Sequence, residues 1–201
     1  MLLLGEGTGA DLPLLQSDEN CTCERVYALD YSSQMVKQCR KRARECGIPV
    51  DNVMQGDAQD LPFEEGVVFD KVLFPLSLGS IPQPEKAMRE ALRVLAPGGR
   101  VCVLEKLVDS NSTPSCARKM IGCVTKCLFS DINRSLEDML VLTPELKVVE
   151  YKSMAGLISG CFGMSADKYR VAVLVRRSDF PDLTEVETLL VTKQTSAVTP
   201  S

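Results

Sequence analysis

Short apolar runs alternate with amphipathic stretches along the first half of the chain, a pattern typical of proteins that mix strands and helices. The apolar runs predict strands over residues 1–4, 25–29, 52–55, 69–74 and 100–104. A helix is predicted over 32–46, because Ser32 and Ser33 supply capping hydroxyls and Gly47 ends the pattern. A second helix is predicted over 83–95, ended by "PGG". This alternation indicates an α/β fold with a doubly wound, mostly parallel sheet.

The second half of the chain has a different order of apolar and amphipathic segments. Helices are predicted over about 115–129 and 135–141, followed by strands over 146–152 and 169–177 with a glycine-rich loop between them. From residue 178 onward the sequence is polar and lacks a clear period, so residues 178–201 are expected to form a flexible tail, with at most a short helix over 184–191. Residues 1–177 are expected to form one domain.

The composition narrows the classes of function. A formal net charge of −4 over 201 residues gives no electrostatic reason to expect a nucleic-acid partner, and the basic run over 37–46 is interpreted as a solvated helix face. Nine cysteines without a C-x-x-C pair, and no histidine, argue against a metal site and favour reduced thiols in the cytoplasm. No apolar run is long enough to span a bilayer.

Three glycines follow the first predicted strand directly and point to a ligand-binding turn. Gly5, Gly7 and Gly9 would let the backbone approach a ligand without a Cβ clash. The spacing fits two patterns, Gly5-x-Gly7-x-x-Ala10 for a dinucleotide and Gly5-x-Gly7-x-Gly9 for S-adenosylmethionine. A simple tight turn is the third interpretation.

Two acidic residues end the second and third strands. Asp30 could accept hydrogen bonds from both hydroxyls of a ribose, and its alternative role is to cap the following helix. Asp57 could accept from the exocyclic amine of adenine beside the small Ala58, or it could form an Asx-turn. Glu6 and Asp11 flank the glycine turn, which suits a ligand with an ammonium and a sulfonium better than a pyrophosphate.

Together these segments resemble the class I S-adenosylmethionine-dependent methyltransferases. The matching pieces, in the family's order over residues 1–106, are "LLLGEGTGADLP", "VYALDYSSQMVKQCRKRA", "NVMQGDAQDLPF", "FDKVLF" and "EALRVLAPGGRVCVLEK". The nearest branch, methyltransferase type 11, includes ubiquinone/menaquinone C-methyltransferases and phosphatidylethanolamine N-methyltransferases. The resemblance implies a Rossmann-like, seven-stranded sheet in which strands 146–152 and 169–177 form a closing antiparallel hairpin.

The chain departs from the family pattern in two places. Leu3 stands where the family usually has an acidic residue. The chain also begins at strand one, so the N-terminal helices that usually cover the cofactor are expected to be missing.

The resemblance also implies roles for individual residues. Gly5, Gly7 and Gly9 would line the methionine moiety, and Asp30 would bind the ribose. Met35 would pack near the adenosine, and Asp57 and Ala58 would hold adenine. Glu105, at the end of strand five, would orient or deprotonate the acceptor, with a structural role as the alternative. The full expected cofactor set is Gly5, Glu6, Gly7, Gly9, Asp30, Tyr31, Met35, Asp57, Ala58 and Phe74.

The expected function is therefore transfer of a methyl group from S-adenosylmethionine to a small-molecule or lipid acceptor, similar to phosphatidylethanolamine or a quinone precursor. One alternative is an inactive cofactor-binding remnant or scaffold. Another is a nicotinamide-dependent oxidoreductase, which the absence of a Tyr-x-x-x-Lys pair disfavours. For residues 116–129 three interpretations are open: an acceptor pocket, a surface for peripheral membrane contact, or the core packing of an ordinary helix. An organellar location with an N-terminal extension is also left open, as is the oligomeric state.

Overall fold

The computed structural model describes residues 1–16, 21–105, 140–155 and 168–183. The strands within them are β1 (Leu2–Leu4), β2 (Tyr27–Asp30), β3 (Val53–Gln55), β4 (Phe69–Pro75), β5 (Leu95–Glu105), β6 (Leu146–Ala155) and β7 (Lys168–Arg176). They form one sheet in the order β3-β2-β1-β4-β5-β7-β6. The first five strands are parallel, and β7 lies antiparallel between β5 and β6. The predicted fold class, with its closing antiparallel hairpin, is confirmed.

The helices in the described part of the chain connect the parallel strands. They are α1 (Leu12–Gln16), α2 (Ser33–Glu45) and α3 (Pro84–Arg93). Helix α2 begins where its capping signal predicts, because the Ser32 hydroxyl accepts a hydrogen bond from the Met35 backbone N–H at 3.4 Å. It ends just before Gly47, whose φ of +71° favours glycine. The five-residue α1 has too few residues for a periodic signal and is not among the predicted helices.

At β1 both faces of the sheet are buried. Leu2 and Leu4 belong to the core that includes α3, whereas Leu3 points the opposite way into the core that includes α2. All three side chains have no exposed surface, and each contributes about 1.5–3 kcal/mol by its burial. A continuous apolar run is therefore needed here, because alternating polar residues would be buried on one face.

Strand β5 starts earlier than the sequence indicates. The predicted helix end at residue 95 is wrong, since α3 ends at Arg93 and the "PGG" segment lies within β5. Phe69 pairs with Leu95 but Lys71 pairs with Arg100, so the pairing of β4 with β5 shifts register around Gly98, which has a φ of +74°. Proline and glycine here mark an irregularity inside a strand, not the stop between two elements.

The segment after β7 is anchored to the domain over its first residues. The Gly98 backbone N–H donates to Asp179 Oδ2 at 2.9 Å. The Lys147 ammonium donates to the carbonyl oxygens of Phe180 and Leu183. These contacts tie residues 178–183 of the predicted tail to β5 and β6.

Several sequence predictions lie outside the described residues. They are the helices over 115–129 and 184–191 and most of the helix over 135–141. Residues 153–155, which were expected to belong to a loop, extend strand β6. Among the described residues, no helix has both the length and the apolar character needed to cross a bilayer.

Candidate functional site

The glycine loop, residues 5–11, leaves β1 at the edge of the sheet where the parallel strands end. Gly5, Gly7 and Gly9 have φ values of +74°, +64° and +79°, which is the left-handed region that other L-residues adopt at a cost. A Cβ on Gly5 would lie 2.4 Å from the Ser77 Cβ, whereas one on Gly7 would meet nothing within 4 Å. Gly5 is therefore required by both conformation and space, and Gly7 by conformation alone.

Asp30, the last residue of β2, organises this loop. Its Oδ2 accepts from the Gly7 backbone N–H and its Oδ1 from the Ser32 backbone N–H, each at 2.8 Å. A carboxylate has about four lone-pair sites, so two remain for other donors. The two N–H groups fix the carboxylate in place and leave it able to bind two hydroxyls.

Asp57 follows β3 and forms a turn with Gln59. Its Oδ1 accepts from the Gln59 backbone N–H at 2.9 Å, and the Gln59 side-chain amide donates to both carboxylate oxygens. The Asx-turn that the sequence offered as an alternative is thus present. It uses three of about four lone-pair sites and leaves one on Oδ2, so turn formation and ligand binding are compatible.

These residues converge on the main cavity, which has a volume of about 500 Å³ and lies beyond the carboxyl ends of β1, β2 and β4. This is where open parallel sheets bind ligands, and the volume suits a drug-sized molecule. It is lined by Gly5, Leu29, Asp30, Tyr31, Ser32, Gly56, Asp57, Ala58, Gln59, Leu76, Ser77, Ser80, Ile81 and Pro82.

The structure brings only part of the predicted residue set to this cavity. The lining residues that the sequence singled out are Gly5, Asp30, Tyr31, Asp57 and Ala58. The predicted residues that do not line it are Glu6, Gly7, Gly9, Met35, Phe74 and Glu105. Gly7 and Gly9 still shape the loop that forms the cavity wall.

Phe74 and Glu105 both lie behind the lining. Phe74 is fully buried in the core with α3, because it shares the Val72 face of β4. Glu105 is 6% exposed, and its Oε2 accepts from the Gly79 backbone N–H at 2.9 Å. Its position supports the loop after β4 and does not place it against a ligand in the main cavity.

Glu6 is buried beside the glycine loop. It is 6% exposed, and its Oε1 accepts from the Asp11 backbone N–H at 3.2 Å. Its Oε2 has no hydrogen-bond partner among the described residues. Burial, reinforced by the negative charges of Asp11 and Asp30, raises the pKa of this carboxyl to about 8.

The same burial affects a neighbouring thiol on α2. Cys39 is 1% exposed, and desolvation together with the nearby Glu6 and Asp30 raises its pKa to about 12. Its Sγ would lie 3.1 Å from a Cβ on Gly9, so α2 packs closely against the glycine loop.

The loop after β4 forms a cavity wall that the residue motifs did not indicate. Leu76 has a φ of +56°, which is strained for a non-glycine residue, and it is 46% exposed. The Ser77 hydroxyl donates to the Leu4 carbonyl oxygen at 2.6 Å and joins this loop to β1. The rule that ligands bind beyond the ends of parallel strands is the signal that could have located it.

No group of three or more His, Cys, Asp or Glu side chains in the described ranges is arranged to hold a metal ion. The polar groups that face the main cavity are carboxylates, hydroxyls, an amide and backbone atoms. These polar groups are suited to hydrogen bonding with an uncharged or cationic ligand.

Comparisons with known proteins identify the family. A family model described as a methyltransferase domain matches residues 2–103, about half of the chain. Over 156 residues the chain is 28% identical to the phosphatidylethanolamine N-methyltransferase of Cereibacter sphaeroides, covering 77% of this chain and 73% of that protein. Over 82 residues it is 40% identical to the ubiquinone/menaquinone biosynthesis C-methyltransferase UbiE of Idiomarina loihiensis, covering 40% of this chain and 32% of that protein. The chain thus spans about three quarters of the first relative and about a third of the second.

A solved structure agrees on the fold. The crystal structure of a SAM-dependent methyltransferase from Methanosarcina mazei superimposes with a TM-score of 0.63 at 16% identity, covering 86% of this chain and 90% of that one. The family match decides between the two cofactors that the glycine spacing left open, in favour of S-adenosylmethionine. The chain belongs to the class I S-adenosylmethionine-dependent methyltransferases.

Proposed function

We propose that this protein transfers a methyl group from S-adenosylmethionine to a small-molecule or lipid acceptor, with the cofactor bound in the main cavity. The observation that carries the proposal is the convergence of Asp30 and Asp57 on one cavity of about 500 Å³. Asp30 is held by two backbone N–H groups, and Asp57 by one backbone N–H and the Gln59 side-chain amide, and each carboxylate keeps at least one free lone-pair site. Two fixed acceptors suit the hydroxyl and amine donors of an adenosine.

The cavity fits the cofactor in charge as well as in donors. Bound S-adenosylmethionine would supply an activated methyl group on a sulfonium, and its loss of that group to a nucleophilic acceptor atom would leave a neutral thioether. Asp11 and Asp30 place negative charge beside the glycine loop, which favours a ligand with a sulfonium and an ammonium. Gly5 lets the glycine loop pack directly against Ser77 in the cavity wall, because a Cβ at this position would lie 2.4 Å from the Ser77 Cβ.

The residues would divide the work as follows. Asp30 would bind the ribose hydroxyls, beside the exposed Tyr31. Asp57 would accept from the adenine amine, with Ala58 against the ring. The apolar side chains of Leu76, Ile81 and Pro82, which also line the cavity, would exclude water from the methyl group that is transferred. Because the electrophile is already activated, positioning and desolvation are the main contributions required of the protein.

The acceptor class is drawn from the relatives. The phosphatidylethanolamine N-methyltransferase that the chain resembles over 77% of its length makes a phospholipid headgroup the first candidate. A quinone precursor is the second, from the shorter match to UbiE. Incubation with cofactor and each acceptor, followed by mass spectrometry of the products, distinguishes these two. Tight cofactor binding without transfer to either would favour an inactive cofactor-binding protein.

The cofactor site is tested by calorimetry with S-adenosylhomocysteine and with an analogue whose adenine lacks the exocyclic amine. A hydrogen bond to a carboxylate predicts that the wild type prefers S-adenosylhomocysteine by about tenfold to a hundredfold. Asp57→Ala should lose that preference, whereas Asp60→Ala, which removes an exposed carboxylate three positions away, should keep it.

The ratio of the two ligands' affinities is compared between proteins, because any general effect of the substitution on the turn changes both affinities and cancels in the ratio. Asp30 is tested in the same way with a 2′-deoxy analogue, which matters because Asp30 also holds Gly7 and Ser32. Equal affinities for both ligands in the wild type would remove the corresponding carboxylate from the site. Binding of NADH, with none of S-adenosylhomocysteine, would overturn the proposal.

A further inference from the structure

A second concave surface, the basic groove, lies on the outer side of α2 beside edge strand β3. It has a volume of about 380 Å³ and is lined by Ser33, Val36, Lys37, Arg40, Lys41, Arg44 and Gln55. Its four cationic residues are spaced three, one and three positions apart, which places them on one face of the helix. All four are exposed.

The basic groove is positively charged, whereas the protein as a whole is negatively charged. Helix α2 carries five cationic residues and one acidic residue, Glu45, in a chain whose formal net charge is −4. Among the described residues, none of the four groove cations forms an ion pair. Attraction to the helix dipole accounts for cations in the last turn, which are Arg42 and Arg44, but not for Lys37 or Lys41.

The basic groove and the main cavity are neighbours. Tyr31 and Ser32 line the cavity, and Ser33, the next residue, lines the groove. On β3, Gln55 lines the groove while Gly56 lines the cavity. Tyr31 and Gln55 lie on the ridge between the two concavities, and the Gln55 side-chain amide donates to the Tyr31 carbonyl oxygen there at 3.2 Å.

We propose that the basic groove docks the protein onto an anionic phospholipid membrane and so brings the mouth of the main cavity to the lipid headgroups. The proposal rests on the proposed function in one respect, that a lipid acceptor would give the docking its purpose. Lysine and arginine clusters bind anionic leaflets through the negative surface potential. Tyr31, which is 77% exposed on the ridge, is of the type enriched where protein meets the headgroup layer.

Charge complementarity favours a membrane over a nucleic acid. The chain has a formal net charge of −4, so the surface outside the basic groove is acidic. A nucleic acid that extended beyond the groove would be repelled by that surface. A membrane touches one face only, so the local charge of α2 decides the attraction, and it decays within a Debye length of about 8 Å.

The test is sedimentation of the full chain with vesicles of phosphatidylcholine, with and without one third phosphatidylglycerol. Lys37→Gln/Lys41→Gln removes two groove cations and leaves Arg40, which holds the Val53 carbonyl oxygen at 3.0 Å. Lys71→Gln/Lys86→Gln is the matched control, because it removes the same charge from exposed sites outside the groove. The wild type should bind only the anionic vesicles.

The groove variant should lower partitioning onto anionic vesicles roughly 25-fold, and the control should remain within about twofold of the wild type. Equal losses in both variants, or no binding by the wild type, would overturn the proposal. So would release by inorganic phosphate beyond that caused by chloride at equal ionic strength, which would indicate a soluble phosphate ligand. Tighter binding of a single-stranded RNA oligonucleotide than of vesicles would also overturn it.

Titration with S-adenosylhomocysteine keeps this proposal separate from the proposed function. The groove variant should bind that ligand like the wild type, which also shows that it is folded. Vesicle binding without cofactor binding would reject the methyltransferase site and keep the docking surface. Binding of S-adenosylhomocysteine together with vesicle binding that does not depend on lipid charge would keep the methyltransferase site and reject the docking surface.

Discussion

Replacing Glu6 with glutamine removes a buried ionisable carboxyl beside the glycine loop while keeping the size of the side chain. Glutamine retains an oxygen that can accept from the Asp11 backbone N–H, the bond that Glu6 makes at 3.2 Å. Glu6 Oε2 has no hydrogen-bond partner among the described residues, so ionisation of this group is opposed by desolvation. The substitution therefore tests whether the charge is a cost to the folded state.

The size and sign of the effect follow from the pKa. In the folded protein the pKa of Glu6 is raised from 4.5 to about 8. Between these values the folded state keeps the proton that the unfolded chain releases, so the wild-type free energy of unfolding falls as pH rises and levels off above pH 8. At about 1.4 kcal/mol per pKa unit, the full loss is roughly 5 kcal/mol.

The assay is urea denaturation of the wild type and Glu6→Gln at pH 5, 7 and 9, with a reductant present. The other titrating groups are the same in both proteins, so the difference between the two unfolding free energies isolates Glu6. That difference should grow with pH in favour of the variant. Glu64→Gln, which removes an exposed carboxylate, is the matched control.

A difference that stays constant from pH 5 to pH 9 would refute the reasoning, because it would mean that Glu6 ionises as readily in the folded state as in the unfolded one. A fixed offset between the two proteins would not, since a buried amide has its own cost that does not vary with pH.

Two further predictions concern the same loop. Gly5→Ala should destabilise the protein by about 2–4 kcal/mol and weaken S-adenosylhomocysteine binding, because its Cβ would lie 2.4 Å from the Ser77 Cβ; Gly7→Ala, with nothing within 4 Å, should cost only about 1–2 kcal/mol. Denaturation midpoints and calorimetry measure both, and equal effects of the two substitutions would contradict the steric argument. Cys39, buried and with its pKa raised to about 12, should resist alkylation at neutral pH in the folded protein, whereas the partly exposed Cys23 should react. Mass mapping of iodoacetamide adducts distinguishes them, and rapid labelling of Cys39 would indicate that α2 opens.

Elements with strong local signals were predictable from the sequence. The run at Leu2–Leu4 needs burial on both sides, and α2 has a capping serine at one end and Gly47 at the other. The start of β5 was not predictable, because Pro97 and Gly98 carry stop signals that are overridden by pairing with β4 across the chain.

The site was predictable where its residues follow strands directly and not where it depends on distant contacts. Asp30 and Asp57 line the main cavity, as their places at the end of β2 and shortly after β3 indicate. Ser77 reaches Leu4 across more than seventy positions, a contact with no local signal. Phe74 was expected beside the cofactor, but which face of β4 it takes is decided by packing against α3.

The order of the strands has a consequence for synthesis of the protein. Strands β1 to β5, which carry the glycine loop and both acidic residues, leave the ribosome before β7 exists. Until β7 is made, about seventy residues after β5 ends, β5 presents an open row of backbone donors and acceptors. At 5–20 residues per second that interval lasts roughly 4–14 seconds. The nascent chain is therefore most exposed to pairing with its neighbours on a polysome after its ligand-binding half has been translated.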